Sequence, residues 1–288
     1  MQIFIICDSG ATGIGDHNIE LSKIFFDLCK YFGTGFFVGV PSDDGAPFTF
    51  LYFVTAKHCV VQAQQAGTLC LRVNSRDGVG VLGTVDRGWL FPEDPSIDVA
   101  IIPWSLDPQD FALRCLETTS QFATNERLEQ HEVGVGDDLV VAGLFTQRHG
   151  RERNLPIVRS GIIAAMPMEP FEDHNTGGSF RAYIAEMRSI GGLSGSPVFA
   201  FLRPGRVNRA REIMMNQRVF LLGMIRGHWD YRRRDGGPLA FANGELAQVN
   251  MGMALVTPAQ DILDLLNRAD VVAVRRRASR ERQRQNPA

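Results

Sequence analysis

Along most of the chain, apolar residues come in short blocks rather than at helical spacing. From Gly33 to about Val256 these blocks include GTGFFVGV, FTFLYFVTA, TLCLRV, DVAIIPW, DLVVAGLF, PIVRSGIIAAM, SFRAYIAEM, SPVFAFL, RVFLLGMI and MGMALV. They are rich in β-branched and aromatic residues, and Gly, Pro, Asp and Asn separate them. Short runs bounded by turn residues predict strands, and their regular recurrence predicts an all-β sandwich or paired barrels. Two stretches break this texture. Residues 1–32 read as a short apolar strand, a glycine turn and a helix from about Asn18, with Leu21, Ile24, Phe25, Leu28 and Phe32 at helical spacing. Near the other end, Thr257 reads as the N-cap of a helix with Pro258 at its first position and Gln260 three residues on. Ile262, Leu265 and Leu266 form the apolar face of that helix.

Beyond it runs VRRRASRERQRQNPA, with six arginines and one glutamate. So charged and apolar-poor a segment predicts a disordered tail over residues 269–288, and its charge makes it the one place where nucleic acid or an anionic membrane is a conceivable partner. The chain as a whole is not basic. Its formal net charge is −2, with 44% hydrophobic and 22% charged residues and a mean hydropathy of −0.07, which describes an ordinary globular protein and argues against a dedicated nucleic-acid binder. The five cysteines (Cys7, Cys29, Cys59, Cys70 and Cys115) are widely spaced, with no CxxC pair and no metal-ligand spacing. No disulfide framework, metal or cofactor is therefore expected, and a reducing compartment fits. The apolar run Ile3–Cys7 lacks a basic flank and is too short for a signal peptide, and nothing approaches a membrane span, so the expected location is cytoplasmic.

The candidate chemistry centres on SIGGLSGSPVFA, Ser189 to Ala200. Ser194 is either a nucleophile held in a tight turn or part of a small-residue turn leading into a strand. A serine nucleophile needs a base, and of the six histidines His58 is distinctive because it closes the buried-looking run FLYFVTAKHCV. That position suits a general base and equally a half-buried core histidine. Asp98, opening DVAIIPW, is either a turn residue or a carboxylate that orients an imidazole.

TAKHC, DVAII and GLSGSP occur in the order His, Asp, Ser, 40 and 96 residues apart. In these motifs, their order and their spacing, the chain resembles the chymotrypsin-like serine proteases over roughly Gly33 to Asn267. PIVRSGIIAAM and MGMALVTPAQDILDLL are similar to segments of the HtrA/Deg-type bacterial branch, although the chain leaves no room for a following PDZ domain. The resemblance implies two six-stranded antiparallel Greek-key barrels, residues 33–125 carrying His58 and Asp98 and residues 126–268 carrying Ser194 and the C-terminal helix, with residues 1–32 as an N-terminal extension. It implies that Ser194 attacks a peptide carbonyl, His58 carries the proton, Asp98 holds the imidazole, and the backbone amides of Gly192 and Ser194 form the oxyanion hole. The partners implied are a protein or peptide substrate and a regulatory protein. Substrate contacts are expected from Arg188, Ile190, Ile225, Arg226, Gly227, His228 and Gly252.

The chain departs from the family in three places. Leu193 stands where digestive relatives carry the aspartate that binds a new N-terminus, so activation of that kind is not expected. Cys59 matches a family half-cystine but has no partner around Phe36 to Val38, and reads as a free buried thiol. Arg226 stands where many relatives have a small serine, and either turns outward or reaches an acid on the substrate. The alternative function is a protease-fold module that binds partners without cutting, or one gated by an effector. An α/β-hydrolase is excluded, because Ser196 replaces the last glycine of its G-x-S-x-G elbow and the chain order of the three residues differs. The G-x-x-G-x-G at Gly10, Gly13 and Gly15 does not match a dinucleotide-binding turn.

Overall fold

A computed structural model describes residues 3–8, 30–76, 78–82, 88–104, 110–111, 114–145, 148, 150, 152–173, 178–188, 192–230, 239–240, 246–247 and 250–285. In the first half, seven strands form one sheet: β1 (Ile3–Asp8), β2 (Lys30–Pro41), β3 (Thr49–Thr55), β4 (Thr68–Asn74), β5 (Val79–Leu82), β6 (Ala100–Pro103) and β7 (Leu116–Glu117). The order is β5-β4-β1-β2-β3-β6, with β7 running parallel to β2. The N-terminal strand is therefore not an appendage. Phe4 pairs with Thr34 on one side and Arg72 on the other, so β1 supplies ladder partners to two strands that otherwise present bare edges. Of the expected extension over residues 1–32, the short strand is thus part of the first sheet, and the helix expected from Asn18 lies outside the described residues.

β2 is buried without a break from Gly33 to Val40 because both of its faces are covered. Phe37, with Phe53 of β3, packs into the core of the first half, beside Leu69, Leu71 and Trp89. Phe36, Val38 and Val40, with Tyr52 and Val54, point the other way, into a layer shared with the second half. That double burial is why FTFLYFVTA reads as a nearly continuous apolar run rather than an alternating one. Helix α1 (Lys57–Ala66) follows β3 after Ala56, with Cys59, Val60 and Ala63 on its buried face. His58 thus lies in the first turn of a helix rather than at a strand end.

Two short helices, α2 (Thr118–Gln121) and α3 (Asn125–Gln130), lead into the second half. There β8 (Asp138–Gly143), β9 (Ile157–Ala165), β12 (Tyr183–Glu186), β13 (Pro197–Leu202), β16 (Arg218–Asp230) and β19 (Asn250–Pro258) close into a six-stranded antiparallel barrel, in the order β12-β19-β16-β13-β8-β9. Its interior holds Val141, Ile163, Leu193, Val198, Leu222, Ile225 and Val256. Three small hairpins decorate it: β10–β11 (Phe171–Asp173, Gly178–Phe180), β14–β15 (Arg206–Val207, Ile213–Met214) and β17–β18 (Leu239–Ala240, Leu246–Ala247).

Helix α4 (Ala259–Leu266) buries Ile262, Leu265 and Leu266 against the layer between the halves, as its spacing predicts. Its start differs from the sequence expectation. Thr257 is held in β19, opposite Met224, so the helix begins after Pro258 and the Thr257 hydroxyl caps nothing. The arginine-rich tail differs more. It is a helix, α5 (Ala269–Gln285), rather than a disordered segment. Arg275 is 1% exposed, donates to both Asp43 carboxylate oxygens at 3.2 and 3.3 Å, and also bonds the Leu266 carbonyl. Ser279 Oγ donates to Asp44. Composition treats all six arginines as solvated, whereas one of them is a buried anchor. Among the described residues no helix is long and apolar enough to cross a membrane.

Candidate active site

Asp98 enters the site from the segment before β6 and is 7% exposed. One carboxylate oxygen lies 2.7 Å from His58 Nδ1, and the other accepts the His58 backbone amide at 2.9 Å. The two bonds fix the imidazole plane and its backbone together. With Nδ1 engaged by a carboxylate, Nε2 is the nitrogen left to face a reacting group. Burial works to raise the Asp98 carboxyl, but the His58 ring and amide, with the charge of Arg226, outweigh it and hold the carboxyl below its ordinary value. For His58, burial opposes the charged ring, yet the bonds to Asp98 and Cys59 prevail and lift it from 6.5 to about 10. The Cys59 thiol is buried and free, 3.5 Å from His58 Nε2.

Ser194 sits in a turn just before β13, between Gly192 (φ 95°) and Gly195 (φ 80°). Both φ values lie where a Cβ is strained, which accounts for glycine at each position. Leu193 between them is buried in the barrel core. The turn is shaped largely from the first half. Thr34 of β2 donates its amide to the Ser194 carbonyl at 2.8 Å and its hydroxyl to the Gly192 carbonyl at 2.8 Å. The same hydroxyl accepts the Leu144 amide at 2.9 Å, and Thr55 Oγ1 donates to the Thr34 carbonyl at 2.7 Å. A Cβ on Gly195 would come within 2.0 Å of that carbonyl. Thr34 escaped the sequence reading. Its signal was available: a polar residue inside YFGTGFFVGV, a run too apolar to leave a hydroxyl unpaired.

The Ser194 hydroxyl donates to the Arg226 carbonyl at 3.4 Å, and no hydrogen bond among the described residues joins it to His58. Among the described residues the amides of Gly192 and Ser194 find no acceptor, so two neighbouring donors remain for an oxyanion.

Arg226 occupies a β-bulge: Ile225 pairs with Val256 and Gly227 with Leu255, leaving Arg226 unmatched. A bulge re-aims its residue. Here it presents the carbonyl to Ser194 and sends the guanidinium past the Phe180 ring of the second half, 3.8 Å from its centre, to the first half, where it donates to the Ser96 carbonyl at 2.7 Å. The side chain braces the backbone two residues before Asp98.

The other residues assigned to substrate contact differ in exposure. Arg188 is exposed, Ile225 is 0% exposed inside the barrel core, and Ile190 lies outside the described residues. Gly227 and Gly252 (φ 76°) are partly exposed, His228 is exposed, and the Gly252 carbonyl accepts the Met187 amide at 2.8 Å. Arg226 lines a cavity between the halves. No family model matches the chain. No curated protein matches it either.

Proposed function

We propose that the chain is a serine endopeptidase working through an acyl-enzyme, on a scaffold of two Greek-key barrels of which the closed barrel is the second. The observation that carries this reading is the doubly held His58–Asp98 pair, in a chain whose Ser194 stands in a glycine-flanked turn with two amides that find no acceptor beside it. In the reaction, Ser194 Oγ leaves the Arg226 carbonyl by rotation of its side chain and attacks the peptide carbonyl carbon. His58 Nε2 takes the hydroxyl proton, and the Gly192 and Ser194 amides receive the negative oxygen. The proton passes to the leaving amine, and water repeats the sequence on the ester. The natural substrate is a protein or peptide in a reducing compartment such as the cytoplasm.

One observation favours a second reading, a site gated by an effector. As the side chains stand, Ser194 is turned to Arg226, and the imidazole, lifted well above 6.5, favours its charged form. Labelling by a fluorophosphonate decides between the readings. Wild type is expected to label, and Ser194→Ala and His58→Ala are not. A folded wild type that fails to label at any pH up to 10, yet labels after cell lysate is added, supports gating. Failure under both conditions overturns the hydrolase reading.

A further inference from the structure

Although the chain as a whole is slightly acidic, α5 carries six arginines against two acids, Asp270 and Glu281. Its buried side anchors it: Val271, Arg275 and Ser279 face the body, where Asp43 takes Arg275 and Asp44 takes Ser279. The two acids of the helix are engaged as well, Asp270 by Arg268 and Glu281 by Arg277. Arg282 lies over the rings of Phe48 and Phe50. What remains is a row. Arg276, Arg280 and Arg284 recur at every fourth residue, which sets them on one side of the helix along about 12 Å of its axis. All three are exposed, and among the described residues no hydrogen bond or ion pair reaches them. With Arg277 they line an open groove whose one carboxylate, Glu281, is already held by Arg277. Like charges at this spacing weaken an isolated helix, so the row opposes the fold and is kept in place by the anchors on the other side.

We propose that this row is a docking surface for double-stranded nucleic acid, held through its phosphates without regard to sequence. The planar guanidinium fork bonds phosphate oxygens two at a time, and each strand of a duplex presents a phosphate about every 3.4 Å of axis. Three arginines along one line therefore meet a regular series of matching charges. The composition of the groove selects a duplex over other polyanions. None of its lining residues is aromatic, so the unstacked bases of a single strand find no platform. A membrane needs an apolar face beside the basic one. Here Val271 is packed into the body, and the exposed Val274, two residues before Arg276, lies on another side of the helix. An acidic protein needs an apolar or aromatic anchor at the centre of the contact, and the groove offers only Ala269, Val272 and Ala273. The overall charge of −2 confines the attraction to α5 and keeps it modest.

Fluorescence anisotropy of a labelled, mixed-sequence DNA duplex of about twenty base pairs, titrated with the full chain, tests the proposal. Saturable binding is expected at about 50 mM salt, with log affinity falling against log salt at a slope near −3. The triple substitution Arg276→Gln, Arg280→Gln, Arg284→Gln should weaken binding roughly tenfold or more and remove most of that slope. Arg280→Gln alone should weaken it a few-fold and reduce the slope by about one, so the test stands even if the triple variant does not fold. A second triple substitution, Arg209→Gln, Arg211→Gln, Arg218→Gln, removes the same charge from exposed positions of the second half and should leave the slope as in wild type. No saturable binding to folded wild type, unchanged binding in the folded row variants, or an equal loss in the second triple variant each overturns the proposal. So does tighter binding to the single strand, to polyglutamate or to phosphatidylserine vesicles than to the duplex. The titration reads binding in Ser194→Ala too, so its outcome is independent of whether the chain is a hydrolase.

Discussion

In the first half of the molecule, His58 and Asp98 are fixed by bonds that stay within that half: side chain to side chain at 2.7 Å and carboxylate to backbone amide at 2.9 Å. In the second half, the turn around Ser194 borrows its shape. Thr34, on a strand of the first half, grips the carbonyls on both sides of Leu193, and Gly195 packs against the Thr34 carbonyl with no room for a Cβ. The bonds of the His58–Asp98 pair lie within the first half, whereas the Ser194 turn takes its shape only where the halves meet. Separating or shifting the halves should therefore silence Ser194 while leaving the His58–Asp98 bond intact.

The largest effect is expected inside the His58–Asp98 pair. Asp98→Asn keeps the shape but cannot hold the charged imidazole, and fluorophosphonate labelling should fall on the order of 10⁴-fold, with a lower melting temperature because the charged pair stabilises the fold. Labelling within tenfold of wild type would contradict the role given to Asp98.

Changes at the borrowed turn come next and should divide the two regions. Gly195→Ala forces a positive-φ residue against a backbone oxygen, which costs at least about 1–3 kcal/mol of stability. Thr34→Val leaves the Gly192 carbonyl and the Leu144 amide without their partner, for about 1–3 kcal/mol. In Thr34→Val, labelling should drop by up to about 10²-fold through misplacement of Ser194. The low-field imidazole proton of the His58–Asp98 bond, followed by NMR, should persist. Its loss would show that the pair depends on the contact between the halves after all.

The dependence on pH sharpens the same contrast. In the proposed role His58 must be neutral, and its folded value stands near 10, so labelling should climb with pH well above 6.5 rather than level off there. For stability the sign is opposite. A raised histidine stabilises the fold fully below 6.5, and that contribution fades as pH rises toward 10. Asp98, held below 3.8, contributes above that value and loses its contribution as pH falls through its folded value. Asp98→Asn should move the labelling curve toward lower pH, and an unmoved curve would remove Asp98 as the cause.

The smallest effect on the site is expected from the far end of the first half. Arg275→Ala releases α5 from Asp43 and should cost about 1.5–3 kcal/mol of stability. Labelling of the folded fraction should not change, because nothing in the site rests on that helix.

Much of this architecture was legible in the chain because short β-prone runs between turn residues admit few other readings. The apolar spacing of Ile262, Leu265 and Leu266 likewise located α4. What was missed shares one cause, a partner distant in sequence. β1 pairs with β4 across more than sixty positions, as Phe4 with Arg72. Arg275 is ordered by Asp43, 232 positions away, and a composition rule for tails cannot see that carboxylate. Thr257 looks like a cap until strand pairing with Met224 claims its backbone. For Arg226, only the tertiary structure shows that its side chain reaches Ser96.

The sequence by itself determined the β texture, the order of His58, Asp98 and Ser194, and the glycines on which the tight turn depends, because each is a matter of local backbone preference or residue chemistry. Tertiary structure alone decided that Asp98 reaches His58 across 40 residues, that Thr34 shapes the Ser194 turn across 158, and that Arg226 ties the halves together across 130. These are bonds between groups brought together by two separately packed cores, and no local rule records where such cores will touch.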